Sequence, residues 1–155
     1  GLSRNKPMLE SIKHHIKNGL PTVAECGGFM YLHEELADKD EKAHNMVGII
    51  KARAFPTERL GRFGYATLTA ERDNPLCTQG SSLRIHEFHY WDSTDCGNGF
   101  TAKKAGRDQS WSCVHATDNL FAGFPHIYLP ACPESAQHFA NKARRYRSIK
   151  SRTIN

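Results

Sequence analysis

The sequence predicts an α/β fold whose sheet has at least one parallel connection, and two observations lead to this prediction. Near the start, a helical pattern over 6–18 is followed by a strand-like run over 21–25, a glycine turn and a second helical pattern over 29–36. Near the end, an apolar run over 120–129 leads into a helical segment that begins at Pro133. Helices that alternate with short buried strands are typical of sheets with parallel connections.

The first elements are defined by apolar spacing and by their boundaries. In 6–18 the apolar residues recur at intervals of three and four, and Gly19 follows as a helix stop. The run 21–25 is short and bounded as a buried strand is. In 29–36 the apolar side chains share one helical face. The apolar positions of the two helices are Met8, Leu9, Ile12, Ile16, Phe29, Leu32 and Leu36.

The middle of the chain is richer in predicted strands. Turn-forming residues over 71–75 and 95–99 separate segments whose side chains alternate between two faces, as strand side chains do. After these strands, Pro133 suits the first turn of a helix because its missing N–H has no partner there. The predicted strands of the middle region are 46–50, 63–70, 83–90 and 111–115.

Length and charge favour one globular domain. The 155 residues are 39% hydrophobic and 24% charged, and no apolar run approaches the roughly 20 residues that span a bilayer. The net charge of +5 is concentrated in 142–155, which contains six basic residues and no acid. We therefore predict a domain over 1–150 with a basic tail over 151–155, and we expect neither a nucleic-acid nor a membrane partner. Because the chain begins with glycine, we expect it to be a processed or excised piece.

The cysteines indicate reduced thiols in a cytoplasmic protein. They are odd in number and include no C-x-x-C pair, so neither a disulfide scaffold nor a zinc ribbon is expected, and we predict no metal site. Most of these thiols are expected to pack as small hydrophobic side chains. The five cysteines are Cys26, Cys77, Cys96, Cys113 and Cys132.

Cys26 lies where a predicted strand runs into a predicted helix through two glycines. A side chain at this turn projects above the edge of the sheet, and the following helix favours a thiolate. Gly27 and Gly28 leave room for a substrate carbonyl, and the Gly27 N–H is placed to face an oxyanion. The local sequence equally allows a second interpretation, in which Cys26 is a small residue in a tight turn.

A cysteine nucleophile needs a base, and three of the nine histidines are candidates by position. His126 lies near the carboxyl end of a predicted strand, level with Cys26, and Tyr128 points to the same face. His86 and His89 lie at another strand end. Position alone does not choose between the three.

Three motifs resemble, in order, the glutaminase domain of the cobyrinic acid a,c-diamide synthases. The run 21–32 is similar to the segment with the nucleophile. The motif His-Glu-Phe-His-Tyr at 86–90 is similar to a strand near the glutamine pocket, and 122–129 is similar to the segment with the catalytic histidine. The stretches 46–48 and 60–65 fit the pattern between them. Glu25 and the 86–90 motif favour this branch over the cobyric acid synthases, but do not separate cobyrinic acid from hydrogenobyrinic acid or nickel sirohydrochlorin.

The resemblance implies roles for individual residues in the conversion of L-glutamine to glutamate and ammonia. The thiolate would attack the carboxamide carbon, and the histidine would protonate the leaving ammonia and then activate water. A carboxylate two residues after the histidine is common in related glutaminases, but here that position is a tyrosine. The implied roles are Cys26 and His126 as catalytic pair, Gly27 as oxyanion donor, and Glu87, Phe88 and His89 as glutamine-binding residues. The group that orients His126 is left open between Tyr128, a nearby backbone carbonyl and none, so a dyad is expected rather than a full triad.

The resemblance also implies the fold and what lies outside this chain. It implies a class I glutamine amidotransferase-like (flavodoxin-like) fold with a mixed, mainly parallel sheet and helices on both faces. The family's amino-terminal strand and glycine-rich loop, and the synthetase domain that uses ATP and Mg²⁺, are expected to be missing. Since the loop supplies one oxyanion donor, we expect the isolated chain to hydrolyse glutamine more slowly than the complete enzyme. The expected reduction in rate is a factor on the order of 10²–10³. The alternatives are a non-catalytic docking module of the same fold and a different thiol hydrolase.

Overall fold

A computed structural model describes residues 1–153, which form an α/β arrangement of twelve strands and three α-helices. The helices are α1 (Lys6–Lys17), α2 (Gly27–Leu32) and α3 (Pro133–Thr153). The strands are β1 (Thr22–Glu25), β2 (His33–Ala37), β3 (Ala43–Asn45), β4 (Ile50–Pro56), β5 (Phe63–Ala70), β6 (Ser82–Phe88), β7 (Trp91–Ser93), β8 (Phe100–Lys104), β9 (Ser110–Cys113), β10 (His115–Thr117), β11 (Leu120–Gly123) and β12 (His126–Ile127).

The strands form three sheets. A three-stranded sheet has the order β1-β11-β10, a five-stranded sheet the order β12-β6-β5-β8-β9, and a four-stranded sheet the order β3-β2-β4-β7. Strand β1 pairs in parallel with β11, with Glu25 opposite Gly123. The two chain segments therefore leave the sheet at the same edge, and this edge carries the candidate site.

The sheets differ from the expected mainly parallel arrangement. Of the nine strand pairs that the described residues form, only β1–β11 and β2–β4 are parallel. The reason lies in the connections. The loops 38–42, 105–109 and 118–119 are too short for a crossover, so they join antiparallel neighbours. No α-helix lies between β2 and β12 in the described chain, whereas a parallel sheet needs crossover segments there.

The element boundaries differ from the prediction at several places. The helix predicted over 29–36 ends at Leu32, and the strand predicted over 46–50 is replaced by β3 and β4 on either side. The strand predicted over 111–115 is divided at Val114, where φ is 67°, into β9 and β10, and strand β8 was not predicted. At His33 the backbone turns to an extended conformation, and the buried imidazole contacts the Phe29 carbonyl oxygen at 2.9 Å and the Ser93 hydroxyl at 2.7 Å. These contacts and the pairing of β2 outweigh the helical periodicity.

Two apolar clusters support the site from either side. One surrounds Phe29 and joins α1 and α2 to β1 and β11, and the other surrounds Phe121 and joins β11 to the five-stranded sheet. Gly123 ends β11 between them. A Cβ atom on Gly123 would lie 2.8 Å from Cγ2 of Val114 and 3.1 Å from Cδ of Pro125, so this position has no room for a side chain.

The carboxyl-terminal basic residues belong to a helix. Helix α3 continues to Thr153, so the basic tail predicted over 151–155 begins as its last turn, and residues 154 and 155 lie outside the described residues. Phe139 packs this helix against the cluster around Phe121. Within residues 1–153, none of the helices combines the length and the apolar character that a membrane crossing requires.

Candidate active site

Cys26 forms a sharp turn between β1 and α2. Its φ of 46° and ψ of −104° lie in a region that residues with side chains rarely adopt, so the turn is strained. Two hydrogen bonds hold it: the Cys26 N–H donates to the Gly123 carbonyl at 2.8 Å, and its own carbonyl accepts from Met30 at 3.0 Å. The side chain is half-buried. Strand-to-helix turns of this kind present a nucleophile at the rim of a sheet.

The Cys26 thiol holds its proton more tightly than the sequence suggests. Burial raises the pKa of this thiol above its usual value of 9.0, the Gly27 N–H lowers it, and the adjacent Glu25 carboxylate raises it again. The start of α2 therefore lowers the pKa of this thiol, as the sequence predicts, but burial outweighs this effect and the pKa is raised. A base has to remove the proton before the sulfur can attack.

His126 lies in β12, which pairs with β6 so that His126 is opposite His86. Its side chain is 45% exposed, and its Nδ1 atom lies 3.4 Å from Oε2 of Glu25. The other oxygen of Glu25 accepts a hydrogen bond of 3.0 Å from the Ile127 N–H. In the described chain no hydrogen bond joins the Cys26 sulfur to His126. The structure thus brings both segments to one edge and connects them through Glu25.

Glu25 is the residue whose place in the site the sequence does not reveal. It is 102 positions from Ile127 in the sequence, and local spacing carries no sign of this contact. The sequence pointed instead to Tyr128 as an orienting group for His126. Tyr128 is 67% exposed, and the carboxylate near the imidazole is that of Glu25.

A cavity of about 690 Å³ opens beside His126, on the exposed side of β5, β6 and β12. Its wall contains aromatic, imidazole and guanidinium groups, whereas Cys26 is not among the residues that line it. The lining residues are Tyr65, Arg84, Ile85, His86, His126, Ile127, Tyr128 and Ala131.

The side chains of 86–90 alternate between this open side and the interior. Phe88 is 47% exposed, whereas Glu87 and His89 are buried. The His89 ring stacks on Phe124 at 3.9 Å between ring centroids, and its Nδ1 lies 2.6 Å from the Trp91 carbonyl oxygen. Of the residues predicted to bind glutamine, Phe88 therefore faces the open side, and Glu87 and His89 lie beneath the strand.

The family of this chain follows from its comparison with known proteins. Residues 1–132 match the family described as the CobB/CobQ-like glutamine amidotransferase domain. The chain belongs to this family. It is accordingly a glutamine amidotransferase domain, and the resemblance of its three motifs is confirmed at the level of the family.

Individual relatives of this amidotransferase domain carry the name cobyrinate a,c-diamide synthase. The chain is 33% identical to that of Caldanaerobacter subterraneus subsp. tengcongensis over 91% of its length, 35% identical to that of Salmonella typhimurium over 93%, and 37% identical to that of Clostridium tetani over 81%. These matches cover 29–32% of the relatives, so the chain spans about a third of their length.

Glu87 gives the amidotransferase domain a pH-dependent stability. Burial raises the pKa of this carboxyl to about 7, with Asp92 adding to the effect and Arg62 and Lys104 opposing it. In the unfolded chain the pKa returns to near 4.5. The folded state therefore binds the proton more tightly, and the free energy of unfolding falls as the pH rises from about 4.5 to 7.

We expect Glu87→Gln to remove this loss, because the amide cannot ionise. Between pH 5 and pH 8 the free energy of unfolding should fall by about 2–3 kcal/mol less in the variant than in the unchanged protein. Denaturant unfolding at the two pH values measures this difference. Glu58→Gln, at an exposed site, is the control and should show no such change. An equal pH dependence with and without the Glu87 carboxyl would contradict the prediction.

Proposed function

We propose that this domain hydrolyses L-glutamine to glutamate and ammonia, with Cys26 as nucleophile and His126 as general acid and base. The observation that supports the proposal most is the strained turn at Cys26 together with the β1–β11 pairing. This pairing brings the segment that contains His126 to the same edge of the molecule. The family membership of residues 1–132 adds the glutamine-dependent chemistry.

The proposed reaction starts from a protonated thiol, in keeping with its raised pKa. As the sulfur attacks the carboxamide carbon, Nε2 of His126 takes the thiol proton, since Nδ1 faces Glu25. The oxyanion that forms accepts a hydrogen bond from the Gly27 N–H. The imidazolium then protonates the departing nitrogen, which leaves as ammonia and a thioester remains. Water, deprotonated by His126, hydrolyses the thioester and regenerates the thiol.

The glutamine itself is proposed to bind along the carboxyl-terminal end of β6. Phe88 and the backbone groups of 86–90 would contact it from the open side. Glu87 and His89, which are buried, would support this segment from beneath and hold its backbone in place. Since no hydrogen bond joins Cys26 to His126 without substrate, glutamine binding is expected to bring the two groups together, as catalytic contacts often tighten in the substrate complex.

The ammonia is proposed to serve an ATP-dependent synthetase domain, where ATP and Mg²⁺ activate a carboxylate for amidation. The names of the relatives and their roughly threefold greater length support this partnership. The acceptor proposed first is the pair of a and c carboxylates of cobyrinic acid, in cobalamin biosynthesis. A related tetrapyrrole such as nickel sirohydrochlorin is the alternative acceptor.

A non-catalytic module of the same fold is the second candidate, favoured by the raised thiol pKa and the missing Cys26–His126 hydrogen bond. The test is to follow glutamate release and glutamine binding together in the complete amidotransferase. Stoichiometric glutamate and ammonia would support the glutaminase. Glutamine binding without glutamate would favour the module, and turnover of simple esters or peptides without any effect of glutamine would favour a different thiol hydrolase.

A further inference from the structure

We propose that Glu25 is a positioning residue for His126, holding the imidazole by its Nδ1 side so that Nε2 is directed to the reacting groups. This inference rests on the proposed glutaminase function and adds a third member to the Cys26–His126 pair. It assigns to β1, the strand that carries the nucleophile, the carboxylate that related enzymes place two residues after the histidine.

The geometry that carries the inference is the division of one carboxylate between two groups. Oε1 of Glu25 accepts from the Ile127 N–H at 3.0 Å, and Oε2 lies 3.4 Å from Nδ1 of His126. The first contact fixes the carboxylate relative to the backbone of β12. The second places a carboxylate oxygen beside Nδ1 of the ring, an arrangement that favours the tautomer with the proton on Nδ1.

The position of Glu25 in the chain couples this contact to the nucleophile. Glu25 is the last residue of β1 and is joined by one peptide bond to Cys26. Glu25 lies opposite Gly123 in the pairing of β1 with β11. Only two residues separate Gly123 from His126 in the sequence. Nucleophile and base are therefore connected through a short and closely packed path.

A purely structural role is the competing explanation, since the bond to Ile127 alone would attach β12 to β1. Glu25→Gln separates the two roles. The amide oxygen still accepts from the Ile127 N–H, whereas the amide NH₂ placed near Nδ1 donates to it. The proton of the imidazole then moves to Nε2, and Nε2 no longer accepts the proton of the thiol, which is the effect known from amide substitution in serine protease triads.

In the complete amidotransferase we expect Glu25→Gln to lower kcat for glutamine hydrolysis by a factor on the order of 10², with KM and ammonia-dependent amidation unchanged. Alkylation of Cys26 by iodoacetamide at fixed pH should become faster, because the Glu25 charge contributes to the raised pKa of the thiol. A merely structural role would affect glutamine-dependent and ammonia-dependent activity alike, whereas the faster alkylation reports the loss of the Glu25 charge. Glu35→Gln is the matched control, since Glu35 is 35% exposed and bonds Arg53 at 3.0 Å.

An unchanged kcat in Glu25→Gln would overturn the inference, as would an equal loss of glutamine-dependent and ammonia-dependent activity. These results are distinguishable from a failure of the proposed function. If glutamine is not hydrolysed by the unchanged enzyme, the glutaminase proposal fails. If it is hydrolysed and His126→Ala is inactive while Glu25→Gln is fully active, only the role of Glu25 fails.

Discussion

Cys26→Ser is expected to reduce glutamine-dependent amidation by the complete amidotransferase by a factor on the order of 10⁴ or more. A serine hydroxyl fits the same turn, but it is a much weaker nucleophile at neutral pH and holds its proton far more tightly than a thiol. Ammonia added directly bypasses the glutaminase step, so ammonia-dependent amidation should remain. Steady-state rates with glutamine and with ammonium chloride, measured side by side, check both expectations.

Cys96→Ser is the matched control for this substitution. Cys96 is also half-buried, but its thiol contacts Asp92 and lies outside the candidate site. The control should retain both activities. If Cys26→Ser retained the full glutamine-dependent activity, Cys26 would not be the nucleophile, and the proposed mechanism would be wrong.

His126→Ala is expected to reduce glutamine hydrolysis by a factor on the order of 10²–10⁴, the range typical of a lost general acid or base. The effect should be large because the pKa of the Cys26 thiol is raised, so few sulfur atoms are ionised without help. Raising the pH should recover part of the first step, since hydroxide then supplies the thiolate. Single-turnover measurement of thioester formation across a pH series tests this behaviour.

The control for the histidine is His15→Ala. His15 is exposed on α1, where its ring contacts His14 rather than a residue of the candidate site, and its loss should leave glutamine hydrolysis unchanged. If His126→Ala hydrolysed glutamine as fast as the unchanged enzyme, another group would have to serve as base, and the candidates by position would be His86 and His89.

The fold was predictable where local pattern decides structure. The amphipathic spacing before Gly19 gives α1, and the short run before Cys26 gives β1, because both signals come from neighbouring residues. The mostly antiparallel pairing of the strands was not predictable in this way, since strand direction depends on which segments pair. At His33 a contact with Ser93, sixty residues away in the sequence, contributes to the early end of α2. The local pattern of apolar residues gives no sign of this contact.

The candidate site shows the same division. Cys26 was identified from its own neighbourhood of glycines and from the strand before it, whereas the place of Glu25 depends on a contact with β12. The sequence shows the effect of the helix start on the pKa of the thiol but not the effect of burial, which is larger and is a tertiary property. The assignment of Cys26, Gly27 and His126 to catalytic roles stays a prediction.

The central claim is that the sulfur of Cys26 attacks the carboxamide carbon of glutamine. Its most direct test is covalent labelling of the complete amidotransferase with 6-diazo-5-oxo-L-norleucine, a glutamine analogue that alkylates nucleophiles, followed by peptide mass spectrometry. We predict a single modified residue, Cys26, with labelling that glutamine slows and Cys26→Ser abolishes. Modification of another residue, or no modification while glutamine demonstrably binds, would contradict the claim.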